Sequence, residues 1–143
     1  MRYELIIDDT KEESIVITAH YKNNMIIEIE KILKNSDSKL VAYGDDEVAI
    51  IDLKEVSAFY TNNGKVFISV GKQSYYLKER IYQIEEIIDS TFIKINQGCI
   101  VNIDRIKKFD CSLVGSIKVV MRNGFSDYIS RRELKNVKRR LGL

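Results

Sequence analysis

The sequence predicts a mainly β protein, α+β overall, and three observations support this class. The chain has eight tyrosines, five phenylalanines and no proline, a composition that favours sheet. From residue 39 onward, short apolar runs alternate with turns that contain Gly or Asn, at intervals of roughly 8 to 12 residues. Helical spacing of apolar residues is confined to short segments. We therefore expect about ten short strands with a few short helices.

Residues 1–38 are predicted to form a small strand and helix prefix. Apolar side chains occupy alternate positions in residues 2–7 and 14–20, which predicts two strands on either side of a polar segment. These strands either form a hairpin or simply lie beside each other. The prefix as a whole either packs on the rest of the protein or contributes a dimer contact.

The last part of the prefix, residues 22–35, has apolar side chains spaced by three and four, which predicts a helix. Asn23 or Asn24 is the expected N-cap, because a side-chain oxygen there can accept a free backbone N–H of the first turn. The polar sequence after Asn35 places a domain boundary near Ser38.

A second domain is expected over residues 39–143. The Asn63-Gly64 and Asn123-Gly124 steps predict tight turns, because such turns need positive φ angles. Periodicity predicts helices over residues 82–89 and 131–141. Strands are predicted over residues 40–43, 47–53, 56–61, 66–70, 74–78, 92–95, 100–103, 106–109, 117–122 and 128–130.

The charge is unevenly distributed along the chain. The formal net charge is +2, yet residues 92–143 carry twelve Lys and Arg against four Asp and Glu, a net of +8. A basic segment of this size is typical of proteins that meet polyanions, chiefly nucleic acid. A solvated basic face is the alternative explanation.

Signals for catalysis, metal binding and membrane insertion are missing from the sequence. His20 is the single histidine, and no phosphate-loop, nucleophile-elbow or dinucleotide glycine pattern occurs. Cys99 and Cys111 lack metal-ligand spacing, so we expect both to be buried in a reducing cytoplasm. No apolar run approaches the roughly 20 residues of a membrane span, and no secretory signal is present. We expect no enzyme, no cofactor, no metal and no small-molecule substrate.

Three motifs occur in a fixed order in the basic segment. They are Phe92-Ile-Lys-Ile-Asn-Gln-Gly-Cys-Ile-Val-Asn102, the Asn123-Gly124 turn, and the step Ser130-Arg-Arg-Glu-Leu-Lys135. In this combination, over residues 39–143, the sequence resembles the LytTR family of bacterial DNA-binding domains. The resemblance implies a transcription regulator that binds duplex DNA through strand-end loops and the start of its last helix. It also suggests a short stand-alone form without a receiver domain, controlled by a membrane partner.

The resemblance also suggests which residues contact DNA. Arg132 is expected to read a guanine in the major groove and Arg131 to hold a phosphate or pack structurally, although these roles could be exchanged. Asn102 is expected to be a buried hydrogen bonder, and Ser130 a helix cap. The full set of expected contacts is Lys65, Lys94, Asn96, Gln97, Arg131, Arg132 and Lys135, with Lys138, Arg139 and Arg140 as a general basic tail.

Gln97 and Gly98 depart from the family pattern, because many relatives have a basic residue and Ser there. The preferred base step therefore stays open. Because a single small domain buries little surface, we expect a homodimer or paired binding on DNA. The rival interpretations are a protein-interaction module that recruits a partner by its β edges, and RNA binding through aromatic side chains such as Tyr75, Tyr76 and Phe125.

Overall fold

The computed structural model describes residues 2–35 and 38–143. Three helices and ten strands are assigned in this part of the chain. The helices are α1 (Asn24–Asn35), α2 (Ile81–Ile87) and α3 (Arg131–Leu141). The strands are β1 (Lys39–Tyr43), β2 (Val48–Asp52), β3 (Ala58–Asn62), β4 (Lys65–Val70), β5 (Gln73–Leu77), β6 (Phe92–Asn96), β7 (Cys99–Asn102), β8 (Ile106–Asp110), β9 (Lys118–Met121) and β10 (Ser126–Tyr128). The prediction of a mainly β, α+β protein is confirmed.

The strands form two antiparallel sheets. The larger sheet has seven strands in the order β2-β1-β5-β4-β3-β7-β6, and the smaller has the order β10-β9-β8. Alternation along the strands divides the apolar side chains of the larger sheet between its two faces. Phe59 and Ile100 pack in one core with Ile84 of α2, whereas Ile93 packs in a second core with Val137 of α3. The second core also contains the inner side chains of the smaller sheet.

The prediction of two strands in the prefix is wrong. Residues 2–22 contain no strand, and their backbone makes no ladder with the sheets in the described part of the chain. The polar segment between the two predicted strands forms a turn, in which the Asp8 carboxylate accepts the backbone N–H of Thr10. Alternating apolar residues form a strand only when a neighbouring strand pairs with them, and these residues have no such neighbour.

The predicted prefix helix is confirmed as α1. Asn23 caps it, because its Oδ1 accepts the backbone N–H of Ile26 at 3.0 Å. Ile26 is buried, whereas Ile32 is 46% exposed, so the apolar stripe is only partly covered. None of the helices in residues 2–35 and 38–143 is long and apolar enough to cross a membrane.

Two further expectations need correction. Cys99 is buried as predicted, but Cys111 is exposed, because β8 ends at Asp110 and the chain leaves the sheet there. The last strand is two residues earlier than predicted, since Ser130 serves as the cap of α3 instead of extending the strand.

Candidate nucleic-acid interface

Three segments that are distant in sequence meet at one end of the larger sheet, where its strands turn, and we call them the turn cluster. They are the β3–β4 turn (residues 62–65), the β6–β7 turn (residues 96–99) and the junction between β10 and α3 (residues 127–132). The strand register explains the first meeting, because Tyr60 of β3 lies opposite Cys99 of β7. Hydrogen bonds between the segments hold the β10–α3 junction against the β6–β7 turn.

The β3–β4 turn is a tight hairpin. Asn63 and Gly64 have φ angles of 51° and 75°, as the sequence predicted for a turn with two left-handed central residues. The turn places Lys65 at the end of the sheet, where its side chain is exposed. Its Nζ lies 5.6 Å from the centre of the Tyr76 ring, within the range of a cation–π contact.

Asn96 connects the second and third segments of the turn cluster. Its Nδ2 donates to Asp127 Oδ2 at 3.1 Å and to the Tyr128 carbonyl at 2.9 Å. Its Oδ1 accepts the Gly98 N–H at 3.0 Å, which closes the β6–β7 turn. Both donor hydrogens of the amide therefore have partners inside the protein. This side chain holds the cluster together.

Gly98 lies against β3 with no room for a side chain. The Thr61 N–H donates to the Gly98 carbonyl at 2.8 Å. A Cβ atom on Gly98 would lie 2.2 Å from Thr61 Oγ1, far inside van der Waals contact. A glycine here allows the β6–β7 turn to approach the β3–β4 hairpin closely.

The junction between β10 and α3 is fixed by Ser130. Its N–H donates to the Ile95 carbonyl at 2.8 Å, which attaches the start of α3 to the end of β6. Its Oγ accepts the Glu133 N–H at 3.3 Å, so the predicted helix cap is confirmed. Arg131 and Arg132 follow at the first turn of α3, and both are exposed beside the β6–β7 turn.

The predicted contact residues differ in how they are engaged. Within residues 2–35 and 38–143, five of the exposed ones make no side-chain hydrogen bond or ion pair; these are Lys65, Gln97, Arg131, Arg132 and Lys135. Lys94 in contrast forms an ion pair with Glu85 of α2, with Nζ and Oε1 2.9 Å apart. Its charge is therefore largely balanced within the protein.

The expectation of a general basic tail is wrong for Arg140, which bonds to the protein itself. Its guanidinium donates to the Phe92 carbonyl at 3.2 Å and to the Ser90 carbonyl at 2.7 Å. Arg140 therefore attaches the last turn of α3 to the start of β6. Lys138 and Arg139 are exposed on the same helix.

Asn102 is buried and hydrogen-bonded, as predicted. Its Nδ2 donates to the Val56 carbonyl at 3.0 Å, and its Oδ1 accepts the Asp104 N–H at 3.0 Å. It joins the end of β7 to the segment before β3, away from the turn cluster.

Sequence reasoning missed Asp127 of the turn cluster, and Thr61 of β3, which borders the cluster. Both act through partners more than 30 positions away in sequence, and no local pattern reveals such a pairing. Asp127 also lies beside Cys99, and burial together with this carboxylate raises the pKa of the Cys99 thiol. No group of His, Cys, Asp and Glu in the described ranges could hold a metal ion.

Comparison with known proteins identifies the family whose domain contains the turn cluster. The family described as the LytTr DNA-binding domain matches residues 46–142, which include every segment of the turn cluster. The chain belongs to the LytTR family. It is therefore a DNA-binding protein, and its family is one of DNA-binding domains and not one of enzymes.

Curated relatives match the LytTR protein over its whole length. Two uncharacterized HTH-type transcriptional regulators of Staphylococcus aureus, from strains COL and N315, are each 32% identical over 146 residues, covering 100% of this chain and 99% of each relative. The prefix is thus shared with relatives of the same size. No two of the described helices follow each other directly along this chain, so the helix-turn-helix arrangement in those names does not describe its fold.

A solved structure confirms the LytTR fold. The LytTr DNA-binding domain of a putative methyl-accepting/DNA response regulator from Bacillus cereus superposes with a TM-score of 0.69 at 18% identity. The match covers 99% of that domain and 75% of this chain. The strand order and the placement of the turns therefore follow a known architecture.

Proposed function

We propose that the protein is a sequence-specific transcription regulator that reads duplex DNA with its turn cluster. Gln97 and Arg132 contact base edges in the major groove, since an amide can pair bidentately with adenine and a guanidinium with guanine. Lys65, Arg131 and Lys135 bind phosphates and set the register on the duplex. Asn96 positions the β6–β7 turn, and Lys94 adds little because Glu85 balances it.

The observation that supports this proposal is the contrast between Asn96 and its neighbour. Asn96 is fixed by three hydrogen bonds within the protein, whereas the Gln97 side chain has none in the described part of the chain and is exposed. Internal hydrogen bonds hold this turn, and it presents one amide beside two arginines that have no side-chain hydrogen bond in the described part of the chain. Such an arrangement suits base recognition. The excess of positive charge in residues 92–143 suits the phosphates on either side.

The names of the staphylococcal relatives support a role in transcription. A single domain of this size buries too little surface for a tight, selective complex, so we propose binding as a dimer or in pairs on DNA. We further propose that the protein acts in the bacterial cytoplasm and that a membrane protein controls it.

The first test compares DNA binding by Gln97→Ala and Arg132→Ala. Each variant is expected to lose about 1–3 kcal/mol of specific binding with its fold intact, since each removes a base contact at an exposed position. Fluorescence anisotropy on a labelled duplex from the protein's own upstream region, against a scrambled duplex and RNA, measures the loss.

Two controls accompany this test. Lys72→Ala removes one positive charge at the β4–β5 turn, at the other end of the sheet, and is expected to leave specific binding unchanged. Asn96→Ala is expected to lower both DNA binding and the free energy of unfolding, because it leaves hydrogen-bond partners unsatisfied. Wild-type affinity in a folded Gln97→Ala/Arg132→Ala double variant would refute the assigned contacts.

The RNA interpretation is weaker, because the aromatic rings that it needs are engaged. Phe125 packs on Tyr60 with ring centres 5.1 Å apart, and Tyr75 packs against the first core. Tyr76 is half-buried, with its ring centre 6.0 Å from that of Phe67 and 5.6 Å from Lys65 Nζ. Recruitment of a partner by a β edge has an observation in its favour, the open edge of β2, and it uses a different part of the sheet from DNA binding.

A further inference from the structure

A cavity of about 610 Å³ lies at the end of the larger sheet that is opposite the turn cluster. β6 begins beside the cavity at Phe92 and reaches the turn cluster at Asn96, and β7 runs back from the cluster to Asn102. The length of these strands, roughly 10–14 Å at about 3.4 Å per residue, separates the cavity from the proposed DNA contacts. Clefts of this size are typical of sites that bind small molecules.

Part of the cavity wall is apolar. Leu53 and Phe92 belong to the first core and are 2% and 3% exposed, so they form a closed floor. Ile32 of α1 also lines the cavity and is 46% exposed. Glu28 of the same helix accepts the Ser90 N–H at 3.0 Å, which holds α1 near the start of β6. An accessible isoleucine beside an apolar floor offers surface to the apolar part of a ligand.

Three cationic side chains line the same cavity, those of Lys54, Arg105 and Arg122. They come from the segments that directly follow β2, β7 and β9. Backbone carbonyls bring them together, because the Arg122 N–H donates to the Arg105 carbonyl at 2.9 Å and Arg105 Nε donates to the Lys54 carbonyl at 3.0 Å. Positive charge beside an apolar wall is suited to an anion that has an apolar part.

The guanidinium of Arg105 is held in place and keeps free donors. Its Nε bonds the Lys54 carbonyl, whereas Nη1 and Nη2 have no partner in the described part of the chain. The two terminal nitrogens of a guanidinium match the two oxygens of a carboxylate. Within residues 2–35 and 38–143, the Lys54 and Arg122 side chains are exposed and make no hydrogen bond or ion pair. All three cations can therefore contribute to holding an anion.

Among the described residues, no carboxylate near the cavity forms an ion pair with these cations. Asp89 Oδ1 accepts the Thr91 N–H at 2.8 Å and also the Thr91 hydroxyl. Asp52, two residues before the lysine of the cavity, is paired with Lys39 at 2.7 Å. Asp104 is exposed and has no cationic partner in the described ranges. The cavity thus keeps positive charge that an anionic ligand can balance.

We propose that this cavity binds a small organic carboxylate with an aromatic or branched apolar body. The carboxylate lies on the terminal nitrogens of Arg105, with Lys54 and Arg122 nearby, and the apolar body covers Ile32. Inorganic phosphate lacks the apolar body and a neutral amide of the same shape lacks the charge, so both bind more weakly. The molecule is bound without chemical change. Because the turn cluster stays exposed, the protein can hold this ligand and DNA at the same time.

The test titrates the full chain, without DNA, with 2-naphthoate as the probe and follows it by nuclear magnetic resonance. The Arg105 Nε–H signal and the Ile32 methyl signals are expected to shift and to saturate together. The neutral 2-naphthamide, which has the same shape, and inorganic phosphate are each expected to bind at least about tenfold more weakly than 2-naphthoate.

Substitutions of the cations test the polar part of the site. Arg105→Gln is expected to raise the dissociation constant for 2-naphthoate at least about tenfold, because it removes the paired donors. Arg122→Gln is expected to raise it about threefold. The Arg122 side chain is exposed and bonds no described residue, so the fold is retained, and circular dichroism checks this. Lys65→Gln removes the same charge at the turn cluster, and is expected to weaken DNA binding while the affinity for 2-naphthoate stays unchanged.

A matched pair of substitutions on α1 tests the apolar wall. Ile32→Asp is expected to raise the dissociation constant at least about tenfold, because it replaces apolar surface by a charge of the same sign as the ligand. Met25→Asp introduces the same charge on the same helix, at a residue that is 49% exposed and lies outside the cavity lining. This control is expected to bind 2-naphthoate as the wild type does.

Several results would overturn the proposal. They are an absence of shifts at millimolar 2-naphthoate, equal affinity for 2-naphthamide or for phosphate, and shifts confined to the turn cluster. Wild-type affinity in both Arg105→Gln and Arg122→Gln, or equal losses in Ile32→Asp and Met25→Asp, would do the same. The ligand titrations contain no DNA, so their failure leaves the proposed function to its own test.

Discussion

At the scale of single residues, the neighbouring amide side chains of Asn96 and Gln97 in the turn cluster differ in their hydrogen-bond partners. Asn96 has all its donors satisfied within the protein, whereas Gln97 faces solvent. The sequence predicted both as DNA contacts, since adjacent amides in a turn are indistinguishable without knowledge of what lies across from them. The distinction depends on Asp127 and Tyr128, more than 30 residues away.

The close approach at Gly98 gives a first prediction at this scale. Gly98→Ala is expected to cost about 1–3 kcal/mol of stability, because its Cβ would clash with Thr61 Oγ1. In the background of Thr61→Ala the cost is expected to shrink, since the nearest remaining atom, Cβ of residue 61, is 3.4 Å away. A double-mutant cycle by urea unfolding measures this coupling, and strictly additive effects would argue against the clash.

The buried Cys99 thiol gives a pH dependence. Burial raises its pKa, so above about pH 8.5 the unfolded chain loses a proton that the folded chain keeps. The free energy of unfolding is therefore expected to fall as the pH rises through this range, by at most about 1.4 kcal/mol per pH unit. The sign follows because the unfolded state binds fewer protons there.

Urea unfolding under reducing conditions between about pH 7.5 and about 9.5 checks this dependence. Cys99→Ala is expected to flatten the profile, whereas Cys111→Ala is expected to retain it, since Cys111 is already exposed in the folded protein. A profile that is equally steep in Cys99→Ala would assign the dependence to other groups.

At the scale of elements, α3 is held at both ends by the strand beside it. Ser130 attaches its start to Ile95, and Arg140 attaches its last turn to Phe92 and Ser90. The helix bounds were predicted correctly from the apolar spacing and the Ser cap. The role of Arg140 was not, because a run of basic residues does not reveal which member turns toward the protein.

Adjacent arginines in α3 provide a matched comparison. Arg140→Ala is expected to lower the free energy of unfolding by about 1–3 kcal/mol, since it leaves two carbonyls without a charged donor. Arg139→Ala removes the same charge from a residue whose guanidinium bonds only Asn136 in the described part of the chain, and is expected to change stability by less than about 0.5 kcal/mol. Equal effects of the two variants on the urea midpoint would contradict the role of Arg140.

At the scale of the whole molecule, local signals predicted residues 39–143 and the prefix helix α1 well, whereas the two strands predicted in the prefix are absent from the described residues. Alternation, turn residues and caps identified the ten strands and two helices of residues 39–143, because each of those patterns meets a partner within the same chain. Residues 2–7 and 14–20 carry the same alternation without such a partner. Periodicity shows which side of a segment is apolar, but it does not show what covers that side.

The uneven charge of the whole chain predicts a strong salt dependence of DNA binding. Lys65→Ala and Lys135→Ala are each expected to reduce the slope of log affinity against log salt by about 0.9, the value for one lost phosphate contact. Gln97→Ala is expected to weaken specific binding without a change in slope, because the side chain is neutral. Anisotropy titrations at several salt concentrations measure both effects, and an unchanged slope in Lys135→Ala would remove that residue from the interface.

The different roles of the neighbouring residues in the β6–β7 turn have a consequence for how this regulator can evolve. Because Asn96 and Gly98 hold the turn while the exposed Gln97 side chain makes no hydrogen bond in the described part of the chain, a substitution at position 97 is expected to change the presented side chain at little cost in stability. On the proposed role of Gln97 in base recognition, one copy of a duplicated gene would acquire a different target sequence by a single substitution while the scaffold stays the same.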